Sequence, residues 1–309
     1  MEMDTIISET RPSRLRYLLD QTEFLGPVLI APAILYIALL IAVPFLLALY
    51  YSLSAFNIAT LDMSFVGLKN FRLVLENDIF RRTLANTFIF TFGSNVLALI
   101  LGQGTAMLLL RNFPLKPLVR SLIILPWAVP VALAAITWRW MFDSLYSVIN
   151  YVLHAMDLID PATSPQWLGQ ENLAMISVTV VYAWRLFPFA AIIFLAGLTS
   201  VPKVVMDAAY VDGAGYWRRH FQIIIPMILP ITFVALLFGL VFTFTDLSVV
   251  YLLTKGGPTN STHVLGSFAF QVGILSGDVA QGAAIALFLF PVLLVVSIFM
   301  LRFLRRREI

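Results

Sequence analysis

The residues with the most chemical consequence in this sequence are the charged ones that its pattern places away from water. Arg139, Arg185 and Asp246 fall inside long apolar runs, where a charge costs about 2.5–3.5 kcal/mol at a helix centre on insertion scales and therefore faces a cavity or a partner. Arg139 has Asp143 four residues on, which predicts a snorkelling or i,i+4-paired arginine. Arg185 sits near the middle of its run, and Asp246 about two turns from the end of its own. On a continuous helix at 100° per residue, Gly239, Phe242 and Asp246 share a sector of about 60°. Tyr182, Arg185 and Leu186 share a face just ahead of Pro188. A glycine, an aromatic plate and a carboxylate on one face suit a polyhydroxylated ring. Its C–H faces stack on the aromatic, its hydroxyls bond to carboxylate or guanidinium, and the gap at Gly239 makes room. The competing account of Phe242 and Tyr182 is packing against core or lipid, and that of Asp246 is an interhelical hydrogen bond.

Other chemistries fall away. The chain has no cysteine, which removes disulfides, thiolate metal sites and a cysteine nucleophile. His154, His220 and His263 lie in separate segments without metal-ligand spacing, so solvated or interfacial histidines are expected and no metal site. The carboxylates and histidines belong to loops on opposite membrane sides, which leaves no triad. No Gly-x-x-x-x-Gly-Lys-[Ser/Thr] loop occurs, and Lys255-Gly-Gly-Pro258 is followed by nothing that cradles phosphates. The expectation is a protein with no catalytic site and no bound nucleotide of its own.

The elements that position these residues follow from composition. Of 309 residues, 60% are hydrophobic and 12% charged, with a mean hydropathy of +0.91, whereas soluble domains run near half apolar and a quarter charged. Apolar runs at about 24–53, 83–110, 118–141, 172–199, 224–253 and 279–303 each exceed the ~18 residues needed to span a bilayer. They lack the alternation of barrel strands, so helices are expected. The fold class is thus all-α, a polytopic bundle of six membrane helices at 24–303, with tails at 1–23 and 304–309. The first run is twice the length of a signal-peptide core. Thirteen of the twenty Lys and Arg fall on segments that are inner if the N-terminus is cytoplasmic, five on outer segments and two within spans, which favours both termini inside. A net charge of +3 carries no nucleic-acid footprint. Small residues at four-residue spacing, Gly282 and Ala286 with Ala280 and Ala284, and Ala128 with Ala132, suit close helix packing within the chain. Prolines 44, 126, 130, 188, 226, 230 and 291 predict kinks.

Between the fourth and fifth runs lies an inner loop, 203–222, that reads as a short helix. Pro202 fits its first turn, Val204, Val205, Ala208 and Val211 form an apolar side, and Gly213 stops it. Ala208 and Ala209 leave room for the surface of another protein, while Asp207 and Asp212 offer carboxylates that fix orientation.

This loop resembles the signature of permease subunits of binding-protein-dependent ABC importers: Glu-Ala-Ala, three residues, Gly, nine residues, Ile-x-Leu-Pro. Here Asp207-Ala208-Ala209 is followed at the same spacing by Gly213 and by Ile223-Ile224-Ile225-Pro226, with Asp207 for Glu and Ile225 for Leu. Asp212-Gly213-Ala214 is similar to the form common in sugar importers. Phe65-Val-Gly-Leu-Lys-Asn-Phe71, Asn86-Thr-Phe-Ile-Phe-Thr91, Leu125-Pro-Trp127, Leu195-Ala-Gly-Leu198 and Leu252-Leu-Thr-Lys-Gly-Gly-Pro258 resemble the maltose and glycerol-phosphate branch.

The resemblance implies a transmembrane subunit of an ATP-driven carbohydrate importer in a bacterial or archaeal inner membrane. It implies a second permease as partner, a dimer of cytosolic ATPases that carries the ATP and magnesium, and an external sugar-binding protein. Docking on the ATPase falls to Asp207, Ala208, Ala209, Asp212, Gly213 and Ala214. The places of Tyr182, Arg185, Leu186, Gly239, Phe242 and Asp246 match those lining the translocation site of maltose-type relatives, although the residue types differ. The outer loops, 142–171 and 254–278, would meet the delivering protein. An ion-coupled secondary transporter is the alternative. It would need more intramembrane carboxylates than Asp246 and an internal duplication, which the sequence lacks. A non-transporting scaffold would need neither a polar cavity nor a docking loop.

Overall fold

The computed structural model describes residues 22–57, 62–160 and 163–305. The chain divides into two units, 1–50 and 51–309. The first contains nearly all of α1 (Thr22–Ser52), a helix long and apolar enough to cross a membrane, which carries Pro27, Pro32 and Pro44 within it. Most of the tails expected at 1–23 and 304–309 lies outside the described residues.

The second unit opens with a hairpin that the helical reading did not anticipate. Strand β1 (Ser54–Asn57) pairs antiparallel with β2 (Asp62–Phe65), Ser54 opposite Phe65 and Asn57 opposite Asp62. Asn70, on the amphipathic α2 (Lys69–Glu76), donates through Nδ2 to the carbonyls of Ser52 at 2.9 Å and Ser54 at 2.8 Å, and so ties the hairpin to its helix. This tie gives the stretch Phe65-Val-Gly-Leu-Lys-Asn-Phe71 its structural meaning.

Helix α3 (Asp78–Leu110) starts earlier than the apolar run because Asn77 caps it, accepting from the amides of Ile79 at 2.8 Å and Phe80 at 3.3 Å. Its buried side recurs every three or four residues, Phe80, Thr83, Thr87, Phe90, Ser94, Ala98, Gly102 and Ala106. That side packs along α7 (Glu171–Thr199). A Cβ at Gly102 would lie 2.7 Å from the Cβ of Ala190, so backbone meets backbone here, and Ser94 Oγ donates to the carbonyl of Thr179 at 3.3 Å. A close small-residue seam thus runs along α3 on α7, whereas Ala128 and Ala132 are exposed. Gly282 does pack within the chain, its missing side chain filled by the backbone of Gly273.

Prolines act unequally. The third run is not one rod but α4 (Lys116–Ala128) and α5 (Val131–Met141), bent by 95°. Val129 is extended ahead of Pro130 and ends the first half. Pro188, in contrast, lies inside α7 without ending it. Helix α6 (Val148–Ala155) lies in the loop 142–171. After the inner-loop helix α8 (Lys203–Val211), a continuous helix runs Tyr216–Phe244 through α9 (Tyr216–Arg219), a π-turn at His220–Ile224 and α10 (Ile225–Phe244). Pro226 cannot donate to the carbonyl four residues back and its ring crowds it, which accounts for the widened turn just ahead of it.

The fifth run is also interrupted. It stops at Phe244 and resumes as α11 (Ser248–Thr254). The stretch expected as loop at 254–278 contains α12 (Leu265–Phe270) and a π-turn, Gln271–Leu275. The last run divides at Phe288 into α13 (Val279–Leu287) and α14 (Leu289–Arg305). Among the described residues, five helices are long and apolar enough to cross a membrane, and the bent pair α4–α5 makes a sixth if counted as one span. The described residues are thus almost entirely helical, with five or six candidate spans, and the hairpin is added.

Candidate translocation site and docking loop

Where α10 breaks, a cavity of about 300 Å³ opens between α4, α7 and the start of α11. It brings together Tyr182, Arg185 and Leu186 from α7 with Phe242 and Asp246. The break explains why Asp246 stands there. Its Oδ1 accepts from the amide of Val249 at 2.9 Å and caps α11, so the carboxylate belongs to a helix start and not to a continuous helix face.

Opposite charge is present without neutralisation. Arg185 and Asp246 line the same cavity, yet no ion pair joins them among the described residues. The Arg185 Nε is buried and makes no hydrogen bond. Both groups therefore keep hydrogen-bonding capacity for a polar occupant, at a desolvation cost that a non-functional core would avoid.

The aromatic side of the cavity is built more fully than the sequence suggested. Phe242 is 39% exposed. Trp127, from the bent span, contributes an indole whose ring stacks on Phe189 at 5.2 Å and approaches Phe242 at 6.1 Å. Phe189 meets Phe242 edge-on at 5.6 Å. Tyr182 is different: it is 4% exposed and set edge-on against Phe90 at 5.1 Å, so most of its ring is core. Trp127 escaped the face-by-face reading because it lies on another helix, although Leu125-Pro-Trp127 stood out as a motif. Thr245 and Ser248, hydroxyls at the break, were missed because a continuous helix was assumed.

Gly239 is a correction. It leaves no room in the cavity, because a Cβ there would lie 2.1 Å from Asn95 Oδ1. The space belongs to Asn95, whose Nδ2 donates to the carbonyl of Thr91 at 2.8 Å and to Thr243 Oγ1 at 3.0 Å. Gly239 thus permits a polar clasp between α3 and α10. The expected Arg139–Asp143 pair is also absent among the described residues. Asp143 instead accepts from the amides of Leu145 at 2.8 Å and Tyr146 at 2.9 Å, which hold its carboxyl below the usual carboxylate range.

At the C-terminal end of α7 the 203–222 loop is a finished structural unit. Gly213, at φ +72°, ends α8 in a Schellman motif: its amide donates to the carbonyl of Tyr210 at 3.1 Å, and that of Ala214 to the carbonyl of Ala209 at 3.0 Å. Arg219 closes the loop, donating through Nη1 to the Ala214 carbonyl at 2.7 Å with its guanidinium 3.7 Å above the Tyr210 ring. Ala209 and Ala214 are buried, whereas Asp207, Ala208, Asp212 and Gly213 are exposed. The six residues therefore divide into four outward and two that hold the loop from within. Val204, Ala208 and Val211 form an outward apolar stripe, with Val211 89% exposed.

The histidines are more enclosed than expected. His220 and His263 are buried, and His154 bonds to the Ile159 carbonyl and Ser164 Oγ.

Residues 84–309 match the family described as binding-protein-dependent transport system inner membrane component. The chain is 30% identical to the sulfoquinovosyl glycerol transport system permease protein SmoG of Agrobacterium fabrum, over 93% of this chain and 92% of that one. It is also 30% identical to the trehalose/maltose transport system permease protein MalF of Thermococcus litoralis, over 96% and 98%. A chain of the bacterial alginate ABC transporter, solved in complex with an alginate pentasaccharide-bound periplasmic protein, shares the fold with a TM-score of 0.76 at 19% identity, over 92% of this chain and 95% of that one. With apolar helices enough for several crossings and the 203–222 loop within the matched residues, the chain belongs to the binding-protein-dependent transport system inner membrane component family, the multi-pass permease subunits of ABC importers.

Proposed function

We propose that this subunit forms the translocation path for a carbohydrate or sugar derivative and that its inner loop, 203–222, transmits the ATPase cycle to that path. The observation that carries the reading is the cavity at the α10 break. Exposed Phe242 and Trp127 faces suit the C–H surface of a sugar ring, and unneutralised Arg185 and Asp246 suit its hydroxyls. The permease names of the relatives, with sulfoquinovosyl glycerol and trehalose or maltose as cargo, support the same class. Path residues are Tyr182, Arg185, Leu186, Phe242 and Asp246, joined by Trp127.

The partners are a second, related permease, a dimer of cytosolic ATPases and an external sugar-binding protein. ATP and magnesium belong to the ATPases. The outward stripe of Val204, Ala208 and Val211 supplies an apolar docking surface flanked by Asp207 and Asp212. Both termini are cytoplasmic, which places the α8 loop inside and the Lys255-Gly-Gly-Pro258 turn outside.

Reconstitution of the complete complex in vesicles tests this function. Uptake of labelled di- and oligosaccharides should require both ATP and the external protein, and uptake driven by an ion gradient without ATP would refute it. Because the chain has no cysteine, Val204→Cys and Thr259→Cys report orientation directly. An impermeant maleimide should reach position 259 from outside and position 204 only after the membrane is opened.

A further inference from the structure

A second cavity, of about 420 Å³, lies at the inner-loop end of the bundle, between the C-terminal turns of α3 and the π-turn after α9. Its walls are mainly apolar, with Leu108, Leu198 and Ile224 among them, and no carboxylate lines it. Arg111 stands exposed at the end of α3 and forms no ion pair among the described residues. His220, 5% exposed, lines the same cavity, and its Nδ1 has no hydrogen-bond partner. Tyr216 completes the polar set, stacked on the His220 ring.

An apolar cleft with a free guanidinium and an unpaired imidazole nitrogen, and without an acid to satisfy either, matches an amphiphile with an anionic head. We propose that this cleft binds an anionic phospholipid of the cytoplasmic leaflet, with its phosphate at Arg111 and an acyl chain along Leu108, Leu198 and Ile224. The proposal rests on the orientation given above, which puts Arg111 at the inner surface together with Lys116 and Arg120. Clustered basic residues there draw acidic lipid at about 1 kcal/mol each. A free phosphate would satisfy Arg111 but leave the apolar walls unfilled. A lipid seated here touches α3 on one side and Tyr216 and His220 of the docking-loop region on the other, so its occupancy braces the segment through which the ATPases act.

The test uses the assembled transporter, purified in mild detergent from vesicles of mixed phosphatidylglycerol and phosphatidylcholine, with retained lipid measured by mass spectrometry. The wild type should keep phosphatidylglycerol in preference to phosphatidylcholine. Arg111→Gln should weaken that retention about five-fold, and Arg111→Lys should largely preserve it. Gly104→Phe provides an independent variant: Gly104 lines the cleft and a Cβ there meets nothing within 4 Å, so a side chain can start there and occupy the cleft. It should abolish retention. Equal retention of the two lipids, retention unchanged in both Arg111→Gln and Gly104→Phe, or displacement of the bound lipid by inorganic phosphate alone would overturn the proposal. Sugar uptake read from the same preparations separates the two readings: a complex that transports sugar but holds no acidic lipid refutes only the lipid site, and one that holds the lipid but moves no sugar refutes only the transport function.

Discussion

Phe242 does not have to be recruited when a ligand arrives. The rings of Trp127, Phe189 and Phe238 surround it at centroid distances of 5.6 to 6.1 Å, so its orientation is fixed beforehand and little side-chain entropy is lost on binding. Phe242→Ala should raise the sugar concentration for half-maximal uptake by about two- to ten-fold, the worth of one aromatic contact. Asp246→Asn asks a narrower question, because the amide oxygen can still cap α11 while the charge is gone. Preference among a panel of competing sugars should change with little loss of assembly, and an unaltered panel would remove Asp246 from the path. Gly239→Ala should behave in the opposite way. Its methyl would collide with an Asn95 already fixed by Thr91 and Thr243, at a cost of about 1–3 kcal/mol. The thermal midpoint of the complex should fall while the sugar panel stays the same.

At the scale of elements, the 203–222 loop shows how a glycine shapes an exposed surface through its backbone alone. Gly213 meets nothing within 4 Å of where a Cβ would be, so its role is conformational: φ +72° costs a β-branched residue roughly 1–2 kcal/mol and unmakes the Schellman turn. Gly213→Val should leave the protein in the membrane but uncouple it, with sugar-stimulated ATP hydrolysis lost. Gly213→Asn, which tolerates the left-handed region, should recover much of it. Equal stimulation in the valine variant would show that the turn is dispensable. This loop was legible in the sequence because its information is local, a spacing of small residues and a stop signal. Which alanine faces inward was not, since Ala209 and Ala208 differ only in what the rest of the chain places beneath them. The helix breaks were half legible. Prolines marked possible kinks, but the chain turns by 95° at Pro130 while Pro188 stays within an unbroken helix, so the residue alone does not decide the outcome. The break at 245–247 contains no proline or glycine at all. It therefore left no punctuation to read, and Thr245, Ser248 and the true setting of Asp246 went with it.

At the scale of the whole molecule, the segment 256–267 and the first turns of α3 and α7 are joined by polar contacts that cross long stretches of sequence. Asn86 of α3 donates to the Ser261 carbonyl at 2.8 Å, the Leu265 amide donates to Thr87 at 2.9 Å, and Glu171 at the head of α7 takes Arg82 at 2.6 Å and the Thr259 hydroxyl. His263 sits at the centre of this knot. Its ring occupies the space that a side chain at Gly256 would need, and its Nδ1 lies 3.0 Å from Ser267 Oγ at the start of α12. Burial pushes the His263 imidazole down to about 4, because the charged form would lose its hydration there. The folded chain thus refuses a proton that the unfolded chain accepts near the ordinary histidine value of about 6.5. Stability from this group is complete above that value and is lost as pH falls from about 6.5 towards 4, since the unfolded state binds more protons throughout that window. The thermal midpoint of the purified complex should fall between pH 7 and pH 5, and amide exchange should rise first in 256–267. His263→Gln, which keeps a hydrogen-bonding group but cannot titrate, should be less stable at pH 7 and lose less on acidification. A wild type and a glutamine variant with parallel pH profiles would show that the acid sensitivity arises elsewhere.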